Sequence, residues 1–135
     1  IPLLSAAALM GSLAIFEEAG IGVIRRKSLA QTDYLIGLIE GMGLCEEPYG
    51  YRIGTPREHV RRGGHVAIEH DEGARIALAL KERGFIVDFR QPDVVRLAPI
   101  ALYTTYHEVW QVAHALREII DTGAHRTVEA SGPVS

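Results

Sequence analysis

Phe85–Trp110, FIVDFRQPDVVRLAPIALYTTYHEVW, is the stretch whose reading decides the fold. Phe85-Ile86-Val87 and Val94-Val95 are β-branched or aromatic runs, and Pro92-Asp93 between them has turn chemistry, so the segment reads as a β-hairpin. It continues through a loop into a helix capped by Thr104 or Thr105, in which Val109, Val112, Ala113, Leu116, Ile119 and Ile120 form an apolar stripe ended by Thr122-Gly123. Arg96 interrupts the apolar run Val94–Pro99. A guanidinium is tolerated there only when an anion or polar group meets it. That partner is either a bound carboxylate or a neighbouring acid, Asp93 or Glu108, in a strand-edge ion pair.

Upstream, His65–His70 reads as a strand with Val66 and Ile68 on one face, and Tyr49–Ile53 as a shorter one. Asp71 is the expected cap of a helix running to about Arg83, with Ile76, Ala77, Ala79 and Leu80 buried and a stop at Gly84. Ile21 to Met42 reads as a helix with Ile21, Ile24, Ser28, Tyr34, Leu35, Leu38 and Ile39 along its stripe, and Arg25, Arg26, Lys27, Gln31 and Asp33 mostly off it. Gly20 separates it from a first helix, and Gly41 and Gly43 end it. The element order implies an α/β (α+β) domain, a small antiparallel sheet covered by helices. Its expected divisions are two connecting helices (1–43), a small α/β domain (44–123) and a polar, mobile tail (124–135).

The first sixteen residues, IPLLSAAALMGSLAIF, lack a basic leader and fall short of the roughly 20 residues needed to span a bilayer. They read as a buried helix, apolar on nearly every face, for which so short a chain has little cover. Together with a first residue that is Ile1 and not methionine, this points to a piece of a longer protein. The 135 residues make one domain's worth of chain, 47% apolar and 23% charged, with 14 basic and 17 acidic side chains. A net charge of −3 offers no general attraction to nucleic acid or an anionic membrane. One cysteine, Cys45, excludes an intrachain disulfide and fits a reducing, cytoplasmic setting.

The runs VVRLAPIALYTTYHEVW, RGGHVAIEH and KERGFIVDFRQPD resemble the C-terminal region of the kynureninases, pyridoxal-phosphate enzymes of fold type I. SAAALMGSLAIFEEAG and RRKSLAQTDYLIGLIE are similar to the two helices that precede the small domain in that family. The resemblance implies the small C-terminal domain of an enzyme that hydrolyses L-kynurenine or 3-hydroxykynurenine to an anthranilate and L-alanine, in tryptophan degradation and the supply of NAD. It implies a homodimer with active sites at the subunit interface, and an upstream large domain that holds pyridoxal 5'-phosphate. By the same resemblance Arg96 binds the substrate's α-carboxylate through a two-pronged pair of hydrogen bonds; Tyr103, close to it in the sequence, is the candidate pocket neighbour. Thr104-Thr105 stands where the family pattern has a serine, a mild change that leaves Arg96 untouched.

A pyridoxal-phosphate enzyme needs a Schiff-base lysine. Lys27 and Lys81, the two lysines, have the setting of solvated helix positions, and the resemblance implies that the Schiff-base lysine, the groups that hold the cofactor ring and most of those that hold its phosphate lie upstream of Ile1, so the chain alone is expected to be inactive. His65 and His70 would point to opposite faces of a strand, and His107 and His114 lie roughly 10 Å apart along a helix, so no metal site is expected. Gly63-Gly64 after Arg61-Arg62 reads as a tight turn in preference to an anion nest. Tyr103, Tyr106 and Trp110 cluster at helical spacing and read as core. Glu46-Glu47 would raise the Cys45 pKa, which counts against a nucleophilic thiol. Two rivals remain: the small domain of another enzyme of this group, a class V aminotransferase or a cysteine desulfurase, and a self-contained, non-enzymatic α/β interaction domain.

Overall fold

A computed structural model of the chain describes residues 3–128, with the side chains of residues 3–6 and 8 left out. Helix α1 (Leu3–Ala19) is followed by α2 (Ile21–Gly41), and Gly20 between them has φ +77°, a conformation open to glycine. Strands β1 (Arg52–Ile53), β2 (Val66–Glu69), β3 (Asp88–Arg90) and β4 (Val94–Leu97) form an antiparallel sheet in the order β1-β2-β4-β3. Helix α3 (Gly73–Glu82) connects β2 to β3, and α4 (Tyr106–Asp121) and the single turn α5 (Ala124–Thr127) follow the sheet. This is the α/β architecture expected, a small antiparallel sheet with helices on it. No described helix is long and apolar enough to cross a membrane.

The alternation of side chains along a strand sorts the sheet into two faces. Val66, Ile68, Val95 and Leu97 are buried, and with Ile76, Ala79 and Leu80 of α3, Leu35 and Ile39 of α2 and Val109, Leu116 and Ile119 of α4 they make one core. Truncating a side chain such as Leu116 to alanine is worth roughly 2–5 kcal/mol at a site this closed. Tyr51 is buried in the same core, and its hydroxyl donates to the Leu116 carbonyl at 2.9 Å. Burial drives that phenol's pKa upward, so it stays a donor.

Two helices end in the same way. At α3, Gly84 (φ +85°) donates to the Lys81 carbonyl and Phe85 to that of Leu80; at α2, Gly43 (φ +69°) donates to Glu40 and Leu44 to Ile39. Both are Schellman stops, with an apolar residue after the glycine folded back on the core. Thr105 starts α4 with a complete capping box, its hydroxyl accepting from the Glu108 amide while the Glu108 carboxylate accepts from the Thr105 amide.

Several expectations are corrected. The first hairpin strand begins at Asp88, and Phe85–Val87 lead into it as partly buried or exposed loop. The strand expected over Tyr49–Ile53 shortens to Arg52–Ile53 because Tyr49–Tyr51 turn inward, Tyr51 filling the core. Asp71 does not cap α3. It pairs with Arg52, and the Glu72 amide is met by the His70 ring at 3.0 Å. On α2, Ile21 is exposed, whereas Gln31 and Thr32 are buried. Gln31 donates to the Thr104 carbonyl at 2.6 Å and Thr32 to the Ser28 and Leu29 carbonyls, which is how polar residues enter a core. The stretch expected as tail starts with α5, where His125 is 2% exposed, its ring between the Ile119 carbonyl and the Glu72 carboxylate. Residues 129–135 of that tail lie outside the described residues.

The cover that an all-round apolar α1 needs is missing, as expected for so short a chain: Leu9, Met10, Leu13, Ile15 and Phe16 are all exposed, Met10 at 72%. Nothing among the described residues covers them, because the sheet and α2–α4 close their own core without α1.

Candidate functional site

Arg96 lies at the centre of the outer sheet face, turned away from the helices. The three-residue turn 91–93 pairs Arg90 with Val94, which sets Asp88 directly opposite Arg96, while β2 sets Ala67 on the other side. Asp88 Oδ2 accepts from Arg96 Nε at 2.7 Å and from Arg96 Nη2, and also from Arg90 Nε at 3.0 Å. The Arg96 side chain remains 35% exposed. The hydrogen bond from Arg96, assisted by Arg90, holds the Asp88 carboxyl below its ordinary pKa.

The acids expected as partners of Arg96 are engaged elsewhere. Asp93 accepts from Arg52 Nη2 at 3.2 Å, and Glu108 closes the capping box of α4. A hairpin strand placed at Phe85–Val87 lies three residues too early to show Asp88 as the partner; counting back from the three-residue turn reaches it. Its neighbours on this face, Arg52, Glu69, Asp71 and Asp93, form a separate ion-pair network around Arg52.

Tyr103 is 73% exposed in the loop between β4 and α4. It borders an open cleft of about 760 Å³, lined also by Phe85, Ile86, Leu97, Glu108 and Gln111. Leu97 enters this lining and Arg96 does not, since adjacent strand residues point to opposite faces. No hydrogen bond joins Tyr103 to Arg96 among the described residues.

Tyr106 and Trp110, expected in the core, are on the surface of α4. With Tyr34 and His107 they line a second, open hollow of about 310 Å³. Trp110 is 40% exposed and lies between two imidazoles, His107 at 5.7 Å and His114 at 3.8 Å between ring centroids. The Arg61–Gly64 segment is tied to α2: Arg25 donates to the carbonyls of His59 and Arg62, and buried Arg62 pairs with Asp33. Partial desolvation works against it, but the hydrogen bonds from Arg62 and His59 hold the Asp33 pKa down. His70 is a neutral ring by its partners, with Nδ1 accepting from the Glu72 amide and Nε2 donating to the Tyr49 carbonyl, and burial lowers its pKa. The Cys45 thiol is raised, by local desolvation first and by Glu40 and Glu46 after it.

Comparison with known proteins follows the same residues. A family model described as the kynureninase C-terminal domain matches residues 24–116, from α2 through the sheet into α4. The chain belongs to the kynureninase family. It is 55% identical over 118 residues to a kynureninase of Geobacillus thermodenitrificans, an alignment covering 87% of this chain and 27% of that protein. A kynureninase of Bacillus thuringiensis subsp. konkukian is 48% identical over 127 residues, covering 94% of the chain and 29% of the relative. One of Shouchella clausii is 53% identical over 116 residues, covering 86% and 26%. The chain therefore spans between a quarter and a third of the length of these kynureninases.

Proposed function

We propose that this chain is the C-terminal part of a kynureninase that hydrolyses L-kynurenine, or 3-hydroxykynurenine, to the corresponding anthranilate and L-alanine in the cytoplasm. Arg96 is the residue that binds the substrate's α-carboxylate. The observation that carries this reading is an arginine in mid-strand, half-exposed on the open face of the sheet, within the family match. A planar guanidinium meets a carboxylate through two parallel hydrogen bonds, which fixes both the position and the orientation of an amino-acid substrate. Tyr103, exposed on the loop that follows β4, is the second substrate-binding candidate.

Pyridoxal phosphate does not fit the residues of this chain. Lys27 is a half-buried residue of α2 and Lys81 is exposed in the last turn of α3, and neither lines the two cavities described. The cofactor and its lysine would belong to the rest of a longer protein, which assembles as a homodimer in this reading. The 135-residue chain is accordingly inactive alone. A cysteine desulfurase would need a thiol disposed to ionise, and the raised Cys45 pKa runs against that.

The test is anthranilate fluorescence after L-kynurenine and pyridoxal phosphate are added to the full-length protein containing this chain, to the 135-residue chain, and to full-length Arg96→Ala. Product from the first, none from the second and a loss of roughly 100-fold or more in kcat/KM from the third is expected, since a positioned charged contact is removed. No product from the full-length protein would discard the kynureninase reading.

A further inference from the structure

We propose that Asp88 is a positioning residue for substrate recognition: it holds the Nε–Nη2 edge of Arg96 so that the Nη1 end of the fork stands open to the substrate's α-carboxylate. The inference rests on the role given to Arg96 above and names a residue that role depends on.

The geometry begins with the hairpin. With Arg90 paired to Val94 across a three-residue turn, Asp88 and Arg96 are cross-strand partners on one face, and no rearrangement is needed to bring them together. Asp88 meets the side of the guanidinium with a single oxygen, Oδ2, which receives both Nε and Nη2. An arginine has five N–H donors, and this contact leaves the two on Nη1 and the second on Nη2 for another partner. Among the described residues Nη1 makes no hydrogen bond. The remaining donors are those of the end-on fork, which suits a carboxylate in bidentate fashion.

Space and charge agree with this. On the side away from Asp88 the neighbour of Arg96 is Ala67, whose methyl group leaves room where a longer side chain would compete. Arg90 binds the same Asp88 oxygen, so the cluster holds two guanidiniums and one carboxylate and keeps a net positive charge. An arginine neutralised by its own acid would repay an incoming anion little; one that shares its acid still attracts it. The neighbouring network holds three carboxylates against the single guanidinium of Arg52, so the positive excess is local to the Arg96 cluster. The depressed Asp88 pKa keeps the anchor ionised at neutral pH. Without the anchor Arg96 is a long, half-exposed side chain free to change rotamer, and ordering it would fall to the substrate.

The experiment uses the full-length protein with Asp88→Ala, the isosteric Asp88→Asn, Arg96→Ala and the Asp88→Ala/Arg96→Ala pair. Each is measured for KM and kcat with L-kynurenine, and for binding of two competitive inhibitors: a substrate analogue that carries the α-carboxylate and the same compound with that carboxylate removed. Thermal unfolding of each variant identifies any that fails to fold, and Asp88→Asn stands in for Asp88→Ala in that event. Expected is a KM rise of roughly 10- to 100-fold in Asp88→Ala with kcat little changed, as a displaced fork would give. Selectivity for the carboxylate-bearing inhibitor falls by a similar factor, and the double variant is no worse than Arg96→Ala alone. Selectivity kept by both Asp88 variants but lost in Arg96→Ala overturns the inference and leaves the role of Arg96 standing. Selectivity kept in Arg96→Ala overturns both.

Discussion

Asp88 spends its charge on two arginines at once, and the sign of its pKa shift follows from that. Its folded pKa lies below the ordinary value of 3.8, with the Arg96 hydrogen bond as the principal cause. A depressed carboxylate contributes stability that is present above the unfolded pKa and is lost as pH falls through the folded one. The Asp88–Arg96 contact is therefore intact throughout the neutral range. Carbon-detected titration of the Asp88 carboxyl is expected to show a midpoint below 3.8, moving upward in Arg96→Ala; a midpoint unmoved by that substitution would deny the contact its electrostatic weight. Arg96 was legible in the sequence because a guanidinium inside VVRLAP has few ways to be tolerated. Asp88 was not, since its pairing depends on a register that begins with turn length. Gln31 was hidden for another reason: an amide becomes a core residue only when a carbonyl far along the chain, here that of Thr104, comes to meet it.

Elements whose signals are local were read closely. The stripe Ile76, Ala77, Ala79, Leu80 and its stop at Gly84 describe α3, and the stripe from Val109 to Ile119 with a threonine cap describes α4. Elements whose limits depend on distant partners were misjudged: β1 starts only after Tyr51, which enters the core, and α5 exists because His125 docks on Ile119 and Glu72. The capping box gives a direct test. Thr105→Ala is expected to cost about 1 kcal/mol in the first turn of α4, which hydrogen exchange would register as roughly fivefold less protection of the amides following residue 105. The Glu108 pKa is lowered, first by the Thr105 amide and then by its hydroxyl, so its half of the box is present above the unfolded pKa and lost as acid titrates it. Unchanged protection in Thr105→Ala would mean that tertiary packing alone holds that turn.

For the whole molecule, the class of fold, an antiparallel sheet under helices, followed from the order of patterns along the chain. What the sequence could also convey was excess: α1 carries more apolar surface than a chain of this size covers. Leu9, Met10, Leu13, Ile15 and Phe16 stand exposed along one helix, an apolar surface of a kind that soluble monomers seldom leave open. The 135-residue chain by itself is expected to self-associate with rising concentration in analytical ultracentrifugation, and Leu13→Glu with Phe16→Glu to restore a monomer. A wild-type chain that stays monomeric at high concentration would show that α1 finds its cover within the chain.

Trp110 has an optical consequence. It is the chain's one tryptophan, and its indole lies against His107 and His114 on the outer side of α4, 40% exposed. The intrinsic emission of the chain is thus a signal from one surface. Whatever covers that side of α4 will shift the emission to shorter wavelength without any dye attached, while events on the Arg96 face, across the sheet, leave its colour alone.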